Sequence, residues 1–308
     1  MGWQEVDGKP SNSVSGKRMR PTLALLAADA VGGDLKRATP IAVALEYIHN
    51  FSLIHDDLED MDRVRHHRPT VWAVWGAPAA IVSGNAMMKI ADSAARKLSY
   101  SGVDNKLALE VEASFTYHYL KMMEGQYLDI FYETVDSITI NQYLDMIERK
   151  TGALIEASIY LGSLVAPRDG PDRKKSSAMK SIGYDLGRIF QIRDDVLGIW
   201  GGDATGKPVG ADIKRKKKAL PAVHVLNHTT GSTAKRIGDI YQNKDELSDE
   251  DVNVVLEEME KLRTQDYCQS MAESRWANCK QMIESLELSG NTAAEFAELG
   301  EFLLIRES

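Results

Sequence analysis

The sequence has almost no alternation of apolar and polar residues at period two, which excludes a protein built on half-buried strands. No apolar run reaches the roughly eighteen residues needed to cross a bilayer. The longest candidate, Val71 to Ile90, is interrupted by Gly76, Pro78, Asn85 and Lys89. The first fifteen residues lack an apolar signal core and read as a flexible arm rich in Gly, Ser and Lys. Two cysteines occur in 308 residues, Cys268 and Cys279, eleven apart in a charged, helical-looking segment. They read as buried or idle thiols, in keeping with a reducing cytoplasm. Positive charge is not in excess: 37 Lys and Arg face 45 Asp and Glu, for a net charge of −8. A general nucleic-acid binder is thereby excluded, and a polyanionic substrate must be met by local cations or by metal.

What the sequence does have is helical periodicity over most of its length, with 44% hydrophobic residues to fill a core. Helices are expected over Thr22 to Val31, from Ile41 into the acidic run that follows, over 79–100 and 105–130, from Thr139 to Leu164, and from Ser176 to Trp200. Three more close the chain, near 219–229, 248–288 and 291–305. The fold class is all-α, with the helices packed as an enlarged bundle whose core suffices for one domain or two.

The stretch from Ser52 to Thr70 stands out. Asp56, Asp57, Glu59, Asp60 and Asp62 fall within seven positions, directly after an apolar helix. If that helix continues, Asp56 and Asp60 lie one turn apart, where like charges repel. A solvated acidic helix end would be the plain explanation. A divalent cation is the other, and Mg²⁺ is typically held by one or two carboxylates together with substrate phosphates. A second pair, Asp194-Asp195, ends another apolar helix, and bundles build metal sites from facing helices in this way. Lys150, Lys207 and the run Lys214 to Lys218 supply cations for a larger anion. An acidic and basic rim above apolar helix faces suits a substrate with a diphosphate head and a hydrocarbon tail. His55-Asp56 also allows a metal phosphohydrolase, although only seven histidines are present to complete such a site.

Taken together, Gly16-Lys17-Arg18-x-Arg20-Pro21, His49, Asp56-Asp57-x-x-Asp60, Arg65, Gly125-Gln126, Lys150-Thr151, Phe190-Gln191-x-x-Asp194-Asp195, Gly206-Lys207-Pro208 and Lys217 before Leu220-Pro221 resemble the trans-isoprenyl diphosphate synthases, the polyprenyl synthetase family. The likeness extends from Gly16 to about Arg306 and is greatest to bacterial geranylgeranyl diphosphate synthases. It implies the isoprenoid synthase fold, a large single-domain all-α bundle over residues 16–308 around a deep central cavity, together with a Mg²⁺ cofactor, a homodimer, and condensation of isopentenyl diphosphate with dimethylallyl, geranyl or farnesyl diphosphate. By the same resemblance Asp56, Asp60 and Asp194 ligate Mg²⁺, supported by Asp57 and Asp195. Arg65, Lys150, Thr151, Gln191, Lys207 and Lys217 hold the allylic diphosphate. Lys17, Arg20 and His49 hold the diphosphate of isopentenyl diphosphate. Phe51 and Ser52, five and four residues before Asp56, bear on product length, for which C20 is expected, with C15 the alternative.

Two positions depart from the family's pattern. His66 stands where a second arginine usually follows the first motif, and histidine is a weaker, pH-dependent anion partner. The second motif ends in Gly198 instead of Asp, which predicts weaker metal binding. It also leaves open a non-catalytic subunit that binds diphosphate beside an active partner, although the first motif is whole.

Overall fold

A computed structural model describes residues 18–65, 68–202, 208–243 and 245–306. Among these residues the chain is helical apart from one short ribbon. In order come α1 (Met19–Ala30), α2 (Leu35–Glu59), β1 (Val64–Arg65), β2 (Arg68–Pro69), α3 (Val71–Trp75), α4 (Ala77–Ala95) and α5 (Asn105–Glu133). Then follow α6 (Ile140–Ile147), a π turn (Glu148–Gly152), α7 (Ala153–Val165), α8 (Arg173–Trp200) and α9 (Ala211–Lys214). The remainder is α10 (Leu220–His228), α11 (Gly231–Gln242), α12 (Asp249–Lys261), α13 (Thr264–Ser285) and α14 (Thr292–Ile305). The all-α class expected from periodicity is the class observed. The expected flexible arm lies outside the described residues. No described helix is long and apolar enough to cross a membrane.

The chain forms two compact units, one within Met1–Tyr119, Ala157–Lys180 and Leu288–Gly290, the other within Leu120–Glu156, Ser181–Glu287 and Asn291–Ser308. In the first, α2 packs against α1 and α4. Ile41, Leu45 and Ile48 fall at spacings of four and three, so they form one stripe, and all three are fully buried. Burial of each is worth about 1.5–3 kcal/mol. A side chain at Gly162 of α7 would place its Cβ 2.1 Å from the Ala24 carbonyl oxygen, so only glycine lets α1 come this close. Asp34 caps α2, accepting from the Lys36 amide at 3.0 Å.

In the second unit Tyr143, Met146, Ile147, Ile192, Val196, Leu220 and Val223 share a core with Cys268. Cys268 and Cys279 are both buried and unbridged, and burial pushes both thiols up, so they are inert as nucleophiles. A reciprocal capping box, Thr139 with Gln142, starts α6. Two expected helices are interrupted. The stretch 139–164 is broken by the π turn, and 248–288 by Arg263, whose φ of 50° is left-handed and separates α12 from α13. Helix α11 was not expected, because its apolar face is narrow: only Ile237 and Ile240 are buried.

Candidate active site

In the first unit the acidic motif occupies the last turn of α2. The Asp60 amide donates to the Asp56 carbonyl at 2.8 Å, so Asp56 and Asp60 do stack one turn apart. The helix stops in a Schellman arrangement: the Met61 amide donates to the Leu58 carbonyl at 3.2 Å and the Asp62 amide to the Asp57 carbonyl at 2.9 Å. Met61, at φ 56°, takes the left-handed position usually given to glycine. The chain then turns back through β1 and β2, with Arg65 opposite Arg68. Thr70 Oγ1 and Trp72 Nε1 both donate to the Asp62 carbonyl at 2.8 Å and anchor this return. The result brings Arg65 onto the aspartates: Nε donates to Asp57 Oδ1 at 2.5 Å and Nη2 to Asp56 Oδ2 at 2.8 Å. Burial raises the Asp57 carboxyl, an effect that Arg65 opposes. Burial, then the charges of Arg20 and Arg65, push the His49 imidazole well below its ordinary value. His49 is therefore neutral at pH 7 and can offer a hydrogen bond, not a charge.

His55 turns away from this cluster. Its Nε2 lies 3.3 Å from the Ile81 carbonyl, and its ring meets Phe51 edge-on at 4.8 Å. A Cβ at Gly84 would come within 2.2 Å of His55 Nε2, so glycine at 84 makes the room. His55 thus packs against α4, and the phosphohydrolase arrangement built on it is not formed. Phe51 is buried, and Ser52 Oγ donates to the His49 carbonyl at 2.8 Å.

In the second unit the other motif lies on α8. Asp195, 1% exposed, is an internal anchor. It accepts from Gln191 Nε2 at 3.0 Å, from the Leu220 amide at 2.9 Å, and from the Tyr143 hydroxyl. Burial pushes its pKa up to about 6 against these bonds and the charge of Lys217. Thr151 Oγ1 donates to Gln191 Oε1 at 2.7 Å, which ties the π turn to α8. That turn passes so close to α5 that a Cβ at Gly125 would lie 2.0 Å from the Lys150 amide nitrogen. Lys150 Nζ donates to Asp129 Oδ2 at 2.5 Å. Asp194 pairs with Arg306, whose guanidinium lies 4.4 Å from the Phe190 ring centroid. Burial works to lower the Lys217 ammonium, but Asp195, Asp212 and Asp129 more than offset it, so Lys217 stays charged.

Position 198 explains itself. A Cβ there would stand 2.1 Å from Asp212 Oδ2. Asp212 is buried and its carboxylate fills the space in which a side chain at 198 would begin. Sequence reasoning missed Asp212, Asp129, Tyr143 and Arg306. Asp129 lies three residues beyond the Gly125-Gln126 motif, whereas nothing local marked the other three. Lys17, His66 and Lys207 lie outside the described residues.

Each unit thus carries an aspartate pair on a helix, held by a polar partner, with cations close by: the class is a helical protein with two acidic motifs for a charged ligand. The polyprenyl synthetase family model matches residues 9–259. The (2E,6E)-farnesyl diphosphate synthase of Mycobacterium tuberculosis is 34% identical over 100% of this chain and 84% of its own. The geranylgeranyl diphosphate synthase of the same organism is 37% identical over 82% of this chain and 70% of its own. The crystal structure of a polyprenyl synthetase from Streptomyces coelicolor superposes with a TM-score of 0.89 at 32% identity, covering 99% of this chain and 89% of that one. The chain belongs to the polyprenyl synthetase family. It has the isoprenoid synthase fold and is a trans-prenyltransferase of isoprenoid biosynthesis.

Proposed function

We propose that this chain joins isopentenyl diphosphate to dimethylallyl, geranyl or farnesyl diphosphate and releases a trans product of C20, with C15 as the alternative. The observation that carries this is the aspartate pair at the end of α2 with Arg65 folded back onto it, in a chain that keeps a second pair on α8. The oxygen-only donors suit Mg²⁺. Such an ion takes one or two carboxylates and completes its shell with water and phosphate oxygens. Asp56 and Asp60 of the first unit, and Asp194 of the second, are assigned as the residues that would hold such ions. Bound there, Mg²⁺ offsets the charge that builds on the departing diphosphate.

The chain's own residues do the rest. Arg65, which pairs with Asp56 and Asp57, would grip the allylic diphosphate. Lys150 exchanges Asp129 for the same anion, and Lys217 and Lys207 add charge as the allylic C–O bond ionises. Gln191 and Thr151, already bonded to each other, orient that head. Asp57 and Asp195 position their neighbours, and Asp212 supplies the carboxylate that position 198 lacks. Arg20, Lys17 and neutral His49 hold isopentenyl diphosphate, with His66 beside them, so that its double bond attacks the allylic cation without a bimolecular search. Departing diphosphate accepts the proton. Apolar walls exclude water from the cation. Buried Phe51 and small Ser52 set the depth available to the tail.

Residues 16–308 are proposed to work as one domain, since the three unit boundaries in the first two-thirds of the chain, after Tyr119, Glu156 and Lys180, fall inside α5, α7 and α8. A homodimer in the cytoplasm is also proposed. Its support is the exposed apolar stripe of α5, which includes Leu109, Tyr117, Leu120, Tyr127 and Phe131. The test is incubation with Mg²⁺, labelled isopentenyl diphosphate and each allylic primer, with products sized after dephosphorylation. A C20 or C15 product is expected, lost at least a thousandfold in Asp56→Ala and kept in His55→Ala. No elongation by folded wild-type protein would replace the proposal with a diphosphate-binding subunit.

A further inference from the structure

The other end of α2 carries a feature that prenyl transfer does not use. A cavity of about 630 Å³ opens where the first turn of α2, the first turn of α5 and the loop leading into α8 meet, all within the first unit. Arg37, Lys106, Arg168 and Arg173 line it, and Val103 and Leu107 give it a buried apolar wall. Arg37 and Asp56 are nineteen residues apart on one helix, about 28 Å at 1.5 Å per residue. This cavity is therefore separate from the acidic motif.

Two of the four cations are already paired. Arg168 Nη2 lies 2.7 Å from Asp34 Oδ2, and Arg173 makes a two-pronged pair with Glu110, with Nη2 2.8 Å from Oε2. Arg37 differs. It is 7% exposed, its Nε is buried without a hydrogen-bond partner, and no carboxylate among the described residues pairs with it. Three of the nearby aspartates are committed elsewhere. Asp34, Asp104 and Asp172 cap α2, α5 and α8, each accepting an amide at 2.9–3.0 Å. Asp169 lines the cavity without forming an ion pair.

Arginine cannot shed its proton, so a guanidinium on a buried side chain with its Nε unbonded is costly and calls for an anion. The planar fork matches a phosphate, and Lys106, Arg168 and Arg173 border the same cavity. The volume falls within the 300–1,000 Å³ typical of small-molecule sites, well above what a free phosphate fills. We propose that this cavity is a second ligand site, which takes a phosphate ester of a small organic group, its phosphate on Arg37 and its organic part against Val103 and Leu107.

The probes are phenyl phosphate and inorganic phosphate, titrated calorimetrically with metal chelated by EDTA, into wild type and Arg37→Met. Phenyl phosphate should bind wild type tighter than inorganic phosphate does, and Arg37→Met should weaken it at least tenfold. Prenyl transfer should be unchanged in Arg37→Met, and its melting temperature in phosphate-free buffer should equal or exceed that of wild type. Equal affinity of the two proteins for phenyl phosphate overturns the site. Equal affinity of wild type for both probes overturns the organic half of the ligand. A lower melting temperature of Arg37→Met without phosphate would show that Arg37 is satisfied internally, and would also overturn the proposal.

Discussion

At the scale of single residues, the two acidic motifs look alike and are built differently. Asp56 and Asp57 share Arg65, whereas Asp195 is a buried anchor and Asp194 alone of that pair reaches outward, to Arg306. Gly198 is the position at which this difference can be tested. Gly198→Ala would gain about 1 kcal/mol of helix propensity. It would also drive a methyl group into the Asp212 carboxylate, 2.1 Å away. Overpacking of this kind costs about 1–3 kcal/mol, so a lower melting temperature is expected, with at least a tenfold loss of kcat. Gly198→Asp alone should fare no better, while Gly198→Asp combined with Asp212→Gly should recover most of the lost activity. Melting curves and steady-state kinetics on the three variants decide this. Recovery by the double variant would identify Asp212 as the carboxylate standing in for position 198.

At the scale of elements, the ends of helices place the chemistry. Helix α2 stops at a left-handed, exposed Met61, and a non-glycine residue in that conformation carries about 1–2 kcal/mol of strain. Met61→Gly should therefore raise stability by about 1 kcal/mol in urea unfolding without moving Asp56 or Asp60. A decrease would mean that the Met61 side chain holds the turn. Helix α10 carries a pH-sensitive group. His224 is buried, bonded through Nδ1 to Thr264 Oγ1 at 3.0 Å, and stacked on Tyr267. Burial, then neighbouring His228, pushes its pKa down to about 4. The unfolded chain binds this proton at ordinary histidine pKa and the folded chain resists it. Its contribution is thus complete above about pH 6.5 and is lost as pH falls toward 4, at most about 3 kcal/mol. His224→Leu should flatten the fall in unfolding free energy between pH 6.5 and 4, and an unchanged slope would assign acid lability to other groups.

At the scale of the whole molecule, the exposed side of α5 is the largest feature that a single chain leaves unexplained. Leu120 and Tyr127 are seven residues apart on one face, and Tyr127 stacks on Phe131 with ring centroids 6.3 Å apart. Leu120→Asp with Tyr127→Asp should convert a dimer to a monomer in sedimentation velocity, with the helical circular dichroism retained. A wild type that sediments as a monomer would remove the dimer from the proposal.

The all-α class, the long helices and both aspartate pairs were legible in the sequence, because helical periodicity and charge clustering are local properties. So was the family, since its motifs keep their order along the chain. Helix breaks were less legible. The π turn at Lys150 was not read from local sequence, and Gly125 of another helix packs against it. Local sequence by itself therefore determined which residues bear charge and which face of each helix is apolar. Only the tertiary structure decided which charge meets which. Arg65 reaches Asp56 because a ribbon folds back, Asp212 fills the space at Gly198 from fourteen residues on, and Arg37 makes no ion pair among the described residues while Asp34, Asp104 and Asp172 cap helices. Such pairings depend on distances between segments far apart in sequence, and these are set when the helices pack.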